Sequence, residues 1–437
     1  MIDINYKSKY LSDNASFTWI VQFPNLGLTF NNSKIVKESF SLTESLCDND
    51  SLEFVGCIAS CCKISLYDID ADVKGQRMTV EVDNIPMFDG IVDSAEITTP
   101  ARSKKITAYD KLYSVSDVDV AQWYKGLTFP KTLKQIRVSL LNHLGLGYVD
   151  SDLPADNVSI SKIYDPEELD GLTCLKAICQ INGCCGIINR YGQFEFRFVK
   201  AAIEGLYPSI MTFPGLQVFP SWFDESENYS ISRYETMKYQ EYQVKPVTKV
   251  QIRASEEDPG ITQGTGDNKY IIQANMWAKD LPDGALVTIA QGILDKLNEV
   301  TFHPCNIKGD GLPFMEVGDV IQYPVNMDNF GQGGGYDASV FLIMTRTFTG
   351  TQFLRDTFTA RGTENQSLFI TDLQTQIRTI MQNGVGPGDD VYTKEETDER
   401  IEELIDEKGQ KFVSCSSLPT PLEPNTVYLI QGDITIM

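Results

Sequence analysis

The sequence Met78-Thr79-Val80-Glu81-Val82, followed by Phe88-Asp89-Gly90-Ile91-Val92 and Lys105-Ile106-Thr107-Ala108-Tyr109, decides the fold class of this chain. Apolar and polar residues alternate in these stretches with a period of two, which is the pattern of half-buried β-strands. Phe17-Thr18-Trp19-Ile20-Val21 and Ile64-Ser65-Leu66-Tyr67 extend the set toward the N-terminus. Short strands at this spacing predict a small barrel or sandwich.

Helical spacing follows in the next part of the chain. Leucine and isoleucine recur every three or four residues over 132–144, where Thr132 is the predicted N-cap and Gly145 the stop. A second helix is predicted over 172–181. Residues 186–198 are then typical of a β-hairpin.

Strand patterns return in the second half. Residues 239–254 alternate, and 340–347 and 352–360 predict a final hairpin. An amphipathic helix is predicted over 285–300.

Two segments are expected to be irregular. Residues 41–46 are predicted to form a helical turn or a loop. Residues 256–268 are rich in glycine, aspartate and proline and are predicted to form a loop.

The C-terminal part carries a different rhythm. Ile370, Leu373, Ile377 and Ile380 are spaced three, four and three residues apart, which is the a/d spacing of a coiled-coil seam. Isoleucine at both seam positions favours three strands. The same pattern also fits an amphipathic helix docked on its own chain.

A short stalk helix is predicted beyond a glycine-rich linker. Thr393 and Glu396 form a capping box, and Ile401 and Leu404 lie on one face of the helix that it begins. Residues 411–437 predict one or two strands.

These changes of pattern predict an α+β fold that is mostly β, divided into five parts. The parts are a β domain (1–118), an α/β module (119–205), a second β domain with an inserted helix (206–363), a helix (364–383), and a linker with the stalk helix and a β segment (384–437).

The net charge of −23 argues against a protein that grips nucleic acid, because phosphate contacts supply most non-specific affinity. An acidic wall would let DNA slide past without sticking. A merely acidic, solvated surface fits the charge equally well.

No catalytic residue, cofactor site or metal site is predicted. The sequence contains no H-E-x-x-H, G-x-S-x-G or G-x-x-x-x-G-K-[ST] motif. Asp68, Asp70 and Asp72 alternate, but Val73 and Thr79 stand where a calcium loop needs glycine and glutamate. A hydrolase that uses two carboxylates stays open, because such a pair has no fixed spacing in sequence.

The cysteines cluster as C-x3-C-C from Cys57 and as C-x4-C-x4-C-C from Cys174. Neither spacing is the C-x2-C of a zinc knuckle. Cys174 and Cys179 also fall in an apolar helical pattern. We therefore expect reduced cysteines that act as small buried hydrophobes.

Several phrases stand out, namely KESFSLTESLC (37–47) with LEFVGC (52–57), ITAYDKLY (106–113), DVAQWY (119–124), GLPFMEVGD (311–319) and YTKEETD (392–398). Taken in order, the phrases between 37 and 319 resemble tail hub proteins from prophages of Gram-positive bacteria. The last phrase is similar to one in tail-fibre stalks. The motif positions singled out are Asp110, Trp123, Tyr124, Pro313, Phe314, Gly318 and Asp319.

The resemblance implies two β-barrel domains related to the tail tube protein, with α/β modules between or beside them, and a homotrimer. Three chains with two barrels each would form a pseudo-sixfold ring between a hexameric tube and a threefold fibre. The implied partners are the distal tail protein, the tail tube proteins, the tape measure protein and a tail fibre or receptor-binding protein.

The resemblance also implies a place at the tail tip of the virion, after assembly in the host bacterial cytoplasm. Phage DNA would cross the pore without specific binding, and the tip would contact the host cell surface. Two alternatives are a tail-associated cell-wall hydrolase and a receptor-binding tip protein. Because about 50 residues follow Gly384, the lysin activity of longer hubs is not expected here.

Overall fold

The fold is seen in a computed structural model of the 437-residue chain. Contacts divide it into two units, Met1–Gly384 and Val385–Met437. The structure describes Tyr10 and residues 15–47, 56–98, 102–116, 118–161, 166–199, 228–230, 235–255, 258–324, 338–364, 368–369, 411–415 and 426–430.

Strands make up most of the regular structure. In chain order they are β1 (Trp19–Phe23), β2 (Leu28–Asn31), β3 (Ser41–Ser45), β4 (Cys61–Tyr67), β5 (Arg77–Val82), β6 (Ile85–Thr98), β7 (Ser103–Tyr109), β8 (Lys131–Thr132), β9 (Ser159–Ile160), β10 (Cys185–Ile188), β11 (Phe194–Arg197), β12 (Asn228–Ser230), β13 (Thr236–Tyr239), β14 (Lys249–Arg253), β15 (Ile261–Gly264), β16 (Lys269–Gln273), β17 (Cys305–Asp310), β18 (Val320–Pro324), β19 (Ala338–Leu342), β20 (Thr345–Thr349), β21 (Arg355–Ala360), β22 (Leu368–Phe369), β23 (Lys411–Cys415) and β24 (Thr426–Ile430).

Helices are fewer, and the protein is therefore mostly β, as predicted. Among the described residues they are α1 (Leu112–Val115), α2 (Ala121–Lys125), α3 (Leu133–His143), α4 (Gly171–Gln180) and α5 (Asp283–Leu297), with one 3-10 turn at Pro24–Leu26. None of the helices within the described ranges has both the length and the apolar character that crossing a membrane requires.

The largest sheet has eleven strands in the order β13-β17-β21-β20-β3-β4-β7-β6-β5-β1-β2. Strands from the first and the second β region meet in it, where β3 pairs antiparallel with β20. Within the described residues, β13 and β2 are paired on one side only, so the sheet is open. The two closed barrels that the resemblance implies are not confirmed.

The first β region follows its alternation closely. On β4, the inward side chains Cys62, Ile64 and Leu66 are fully buried. Asp83 and Asn84 join β5 to β6, and both have positive φ (50° and 64°), as a type I′ hairpin turn requires.

The α/β module contains the predicted helix α3. The Thr132 side chain accepts from the Gln135 N–H at 3.3 Å, and the Gln135 side chain accepts from the Thr132 N–H at 3.1 Å. This capping box satisfies two backbone donors that the helix would leave unpaired. Gly145 follows in the left-handed region (φ 67°), so the predicted start and stop are both confirmed.

The second predicted helix and the hairpin after it are also present. Asp170 caps α4 by accepting from the Leu172 and Thr173 N–H groups at 2.9 and 3.0 Å. Strands β10 and β11 pair antiparallel. Gly192, with φ 74°, allows the turn between them.

The second β region confirms the predicted helix as α5. The final hairpin is present as β20 and β21, but the predicted arm 340–347 is divided, because its first residues belong to β19, which pairs with β18. The prediction of a loop over 256–268 is wrong in part. Ile261 pairs with Ile252 and starts β15, because β14 offers an edge on that side.

The prediction for residues 41–46 is also wrong, because this segment is strand β3. Leu42 and Leu46 are four residues apart, which resembles helical spacing. Leu42 and Glu44 are in fact both inward and buried, with the outward Thr43 between them. The acidic Glu44 at an inward position hides the strand pattern.

In the C-terminal unit, β23 and β24 pair in parallel, which agrees with the one or two strands predicted there. The predicted seam and stalk positions lie outside the described residues. They are Ile370, Leu373, Ile377, Ile380, Thr393, Glu396, Ile401 and Leu404.

Candidate functional site

A cluster of buried charges lies where the two β regions join. Arg346 of β20 is fully buried. Its Nε and one Nη donate to the two carboxylate oxygens of Asp356 on β21, at 2.8 and 3.1 Å. Its other Nη donates to Glu44 of β3 at 3.3 Å. One guanidinium therefore connects the three neighbouring strands on their inner side.

The same arginine holds the loop 311–319, which carries the late sequence motif. Its Nη atoms donate to the carbonyl oxygens of Leu312, at 2.8 Å, and of Met315. Asp356 in turn accepts from the Leu312 N–H at 2.7 Å. Several charge-assisted hydrogen bonds thus fix the loop backbone.

Two arginines from the hairpin β10–β11 hold this loop from the other side. Arg190 donates to the carbonyl oxygens of Pro313 and Met315. Arg197 donates to the Val317 carbonyl at 2.9 Å and pairs with the Glu316 carboxylate at 2.8 Å. We call Glu44, Arg190, Arg197, Glu316, Arg346 and Asp356 the charge cluster.

The loop ends in a tight turn that depends on glycine. Gly318 has φ +91°, and the Asp319 N–H donates to the Glu316 carbonyl at 3.2 Å. A Cβ at Gly318 would lie 3.0 Å from Cδ of Arg197. The Asp319 side chain closes the turn by accepting from the Glu316 N–H at 2.8 Å. The motif positions Gly318 and Asp319 therefore have a local structural role.

The acids of the cluster differ in the direction in which their pKa is shifted. Burial raises the pKa of Glu44 and of Asp356, although nearby arginines oppose the change. Burial acts the same way on Glu316, but Arg190 and Arg197 outweigh it and lower the pKa of that carboxyl. All three carboxylates face guanidinium groups of the chain itself.

Asp110, another motif position, lies beside the cluster. It is buried and accepts from the N–H groups of Ser60 and Leu112, at 2.7 and 2.9 Å. Burial raises its pKa to about 7. A narrow cavity between Asp110, Glu44 and Arg190 has room for about one water molecule, which is too little for a substrate.

The remaining motif positions belong to packing. Tyr124 is buried, with its ring 6.1 Å from that of Trp277. The Trp123 indole N–H donates to the Ser139 hydroxyl at 3.1 Å. Phe314 packs edge-on to Tyr10, with ring centroids 6.0 Å apart. Of the motif positions, Pro313, Gly318 and Asp319 thus share the 311–319 loop, and Arg190 of the charge cluster contacts the Pro313 carbonyl.

The outer side of the same strands presents a different chemistry. On β21, β20 and β3, nine outward positions form three rows across the sheet, of which Thr43 and Arg355 are exposed and the other seven are partly exposed. The rows are Thr359–Thr345–Ser45, Thr357–Thr347–Thr43 and Arg355–Thr349–Ser41. Eight of these nine positions carry a hydroxyl group. We call those eight residues the hydroxyl face.

Charged residues of both signs surround the hydroxyl face. Lys63 of β4 pairs with Ser41, Lys308 of β17 pairs with Thr357, and Asp310 of β17 pairs with Arg355. The acidic charge of the chain is therefore not concentrated on this face. Its centre is polar and uncharged.

Sequence reasoning missed the charge cluster, although one signal was present. Met344, Arg346 and Phe348 share a face by the strand period of two, which places Arg346 among buried apolar residues. A buried guanidinium needs a carboxylate partner. The sequence contains no indication that the partners would be Glu44 and Asp356.

Neither histidine belongs to this site. His303 donates from Nδ1 to the Gln240 carbonyl at 3.0 Å, and its Nε2 lies 3.1 Å from the Gln243 amide nitrogen. His143 stacks on Trp123. Among the described residues, no three histidine, cysteine or acidic side chains are grouped so as to hold a metal ion.

No family model matches the chain, and no curated protein matches it in sequence. Among solved structures, it is similar to the 43 kDa tail protein of prophage MuSo2 from Shewanella oneidensis, with 12% identity, 79% of this chain and 98% of that chain covered, and a TM-score of 0.48. It is also similar to a tail protein from Neisseria meningitidis MC58, with 12% identity, 81% of this chain and 98% of that chain covered, and a TM-score of 0.47. A third similar structure is a prophage tail protein from Listeria monocytogenes EGD-e, with 12% identity, 83% of this chain and 99% of that chain covered, and a TM-score of 0.46. All three are tail proteins, the class of protein that the sequence phrases resemble.

Proposed function

We propose that this chain is the structural hub of a phage tail tip. Three copies form a ring that closes the tail tube, joins it to the distal tail and fibres, and lets DNA pass during ejection. The observation that carries the proposal is the hydroxyl face, a polar, uncharged area at the centre of a sheet built from both β regions.

The hydroxyl face is suited to line a conduit for DNA. Hydroxyl groups keep a surface hydrated, and neutral side chains offer no lasting ion pair to phosphate. The basic residues nearby are spread along the edges of the face and do not form a continuous stripe. DNA would therefore meet a wet wall that neither holds it nor strongly repels it.

The open sheet supports assembly into a ring. Within the described residues, β2 and β13 each have one unpaired edge, and such an edge can accept a strand from another chain. Head-to-tail contacts of this kind close into rings when the rotation between copies allows it. In the proposed ring each β region forms one barrel-like unit, so three chains present six similar units to the tail tube.

The C-terminal parts complete the proposed assembly. Ile370, Leu373, Ile377 and Ile380 form a three-stranded seam below the ring. The helix that starts at Thr393 forms a short stalk and docks a fibre or receptor-binding protein. The distal tail protein, the tube proteins and the tape measure protein are the proposed neighbours in the virion.

The charge cluster supports a structural role over a hydrolytic one. Its carboxylates are engaged by Arg190, Arg197 and Arg346, and the cavity beside them holds about one water. A zymogram on peptidoglycan tests the hydrolase alternative, since clearing by the pure protein would support it.

The mass of the assembled protein tests the proposal itself. Purified chain is mixed with its tail tube protein and measured by native mass spectrometry. We expect a species with three copies of this chain. A chain that stays monomeric in the presence of tube protein contradicts the proposal.

A further inference from the structure

Five of the cysteines come together in one buried cluster. Cys47 and Cys57 lie after β3 and before β4, and Cys179, Cys184 and Cys185 lie at the end of α4 and the start of β10. All five are nearly or fully inaccessible to solvent. No disulfide joins the cysteines in the described residues.

Two contacts between thiols in this cluster join cysteines that are far apart in the sequence, and the Cys184 thiol also neighbours Cys179. Sγ of Cys57 lies 3.8 Å from Sγ of Cys179, and Sγ of Cys47 lies 4.0 Å from Sγ of Cys185. A disulfide bond needs a separation of about 2.0 Å. Each pair must therefore close by ~2 Å, a distance on the scale of a change in side-chain rotamer.

The backbone holds the four cysteines in place. The Gly186 N–H donates to the Gly56 carbonyl at 2.7 Å, and Cys57 and Gly186 pair as a β-bridge. Gly56 also packs so tightly on Leu46 that a Cβ would overlap the Leu46 carbonyl oxygen. These contacts keep the two chain segments against β10, so the thiols cannot drift apart while the fold is intact.

We propose that Cys57–Cys179 and Cys47–Cys185 are two latent disulfide sites, which a small-molecule disulfide such as oxidised glutathione closes in the folded protein. One cysteine thiolate attacks the oxidant, releases one glutathione and leaves a mixed disulfide. The partner thiolate then attacks the protein sulfur and releases the second glutathione. Two protein thiols are oxidised and one oxidant disulfide is reduced. This chemistry does not depend on the proposed tail function.

The reaction is expected to be slow and to accelerate with pH. The neighbouring thiol and burial raise the pKa of Cys57 and of Cys185 well above the usual value, and burial does the same to Cys179. Thiolates are therefore scarce at neutral pH, and the oxidant must enter through local opening. The partly exposed Cys61 should react first and shows that the oxidant is active.

Closure of both sites should stabilise the fold. The Cys47–Cys185 link would enclose more than one hundred residues, and long loops gain most from a cross-link. We expect the denaturation temperature to rise by several degrees after oxidation. The rise should be lost in a variant that carries both Cys47→Ala and Cys57→Ala.

The test is peptide mapping by mass spectrometry. The folded full-length protein is incubated with oxidised glutathione at mildly alkaline pH until Cys61 has reacted fully, then alkylated and digested without reduction. We expect cross-linked peptides for Cys57–Cys179 and for Cys47–Cys185. Cys47→Ala should remove only the second link, and Cys174→Ala, at another buried cysteine, should leave both.

Two outcomes would overturn the inference. One is complete alkylation of the four cysteines on denaturation after Cys61 has reacted, which would make them inert core residues. The other is a different set of links, such as Cys179 with Cys184, which would show that the contacts do not select the partners.

Discussion

Strands β3, β20 and β21 carry opposite chemistry on their two sides. The inner side holds Arg346, Glu44 and Asp356, which are buried and bonded to one another. The outer side, between the same residues, holds the hydroxyl face, in which Thr43 is exposed and the other seven residues are partly exposed. The inner side thus holds the two β regions together, whereas the outer side is the surface that another molecule can contact.

The two sides should respond differently to mutation. A buried charge that loses its partner is costly, whereas an exposed hydroxyl can be replaced at little cost in stability. Changes on the inner side should therefore destabilise the fold. Changes on the outer side should leave the fold intact and affect only what it contacts.

The largest effect is expected for Arg346→Met. Asp356 and Glu44 would remain buried without their cation, and the 311–319 loop would lose two bonds. We expect a loss of about 3–5 kcal/mol in the free energy of unfolding, measured by urea denaturation. Arg355→Met, at the exposed end of β21, is the control and should cost under about 1 kcal/mol. Equal losses of unfolding free energy in the two variants would show that the buried charges of the inner side stabilise the fold no more than an exposed arginine does.

Asp110→Asn should change how stability depends on pH. The folded carboxyl has a pKa near 7 and the unfolded one a much lower value, so the folded state binds more protons between about pH 4 and 7. As pH rises through this window, the free energy of unfolding of the wild type should therefore fall relative to that of the variant, by about 2–4 kcal/mol. Urea denaturation at pH 5 and pH 8 measures the difference. Asp267→Asn, at an exposed carboxylate, should show no such change, and parallel pH profiles for Asp110→Asn and wild type would refute the prediction.

Gly318→Ala tests how much the close contact with Arg197 adds to the cost of a side chain in the 311–319 loop. Alanine would meet both the positive φ and the Arg197 side chain, for a cost of about 2–3 kcal/mol. Gly75→Ala shares the positive φ (+74°) but has open space around its Cβ, and should cost about 1 kcal/mol. Thermal denaturation compares the two. A similar loss in both would mean that the contact with Arg197 contributes nothing.

The smallest effect is expected on the outer side. Thr347→Val replaces a central hydroxyl of the hydroxyl face with a group of the same shape that strands accept well. Its stability should stay within about 0.5 kcal/mol of wild type in urea denaturation. A loss of more than that would place the hydroxyl face among the groups that hold the fold.

The sequence predicts the elements better than it predicts the site. Strands with apolar inward residues and helices with clear caps, such as α3, follow from local patterns. Strand β3 does not, because Glu44 occupies an inward position and its partner Arg346 lies 302 residues away. Long-range ion pairs of this kind leave no periodic pattern in the sequence. The charge cluster therefore cannot be predicted from the sequence and is seen only in the folded structure.

The hydroxyl face was missed for a related reason. Thr43, Thr347 and Thr357 are ordinary outward residues within their own strands. They become one surface only when β3, β20 and β21 pair in register.

Labelling of Thr43→Cys in isolated tails tests whether the hydroxyl face lines the conduit. Thr43 is exposed on the single chain, and the account places it inside the conduit of the assembled ring. A bulky maleimide should label this cysteine in the free chain and fail in tails, while Asp152→Cys, at a side chain that is 95% exposed on the α/β module, is the comparison site. Equal labelling of Thr43→Cys in the free chain and in tails would contradict the account.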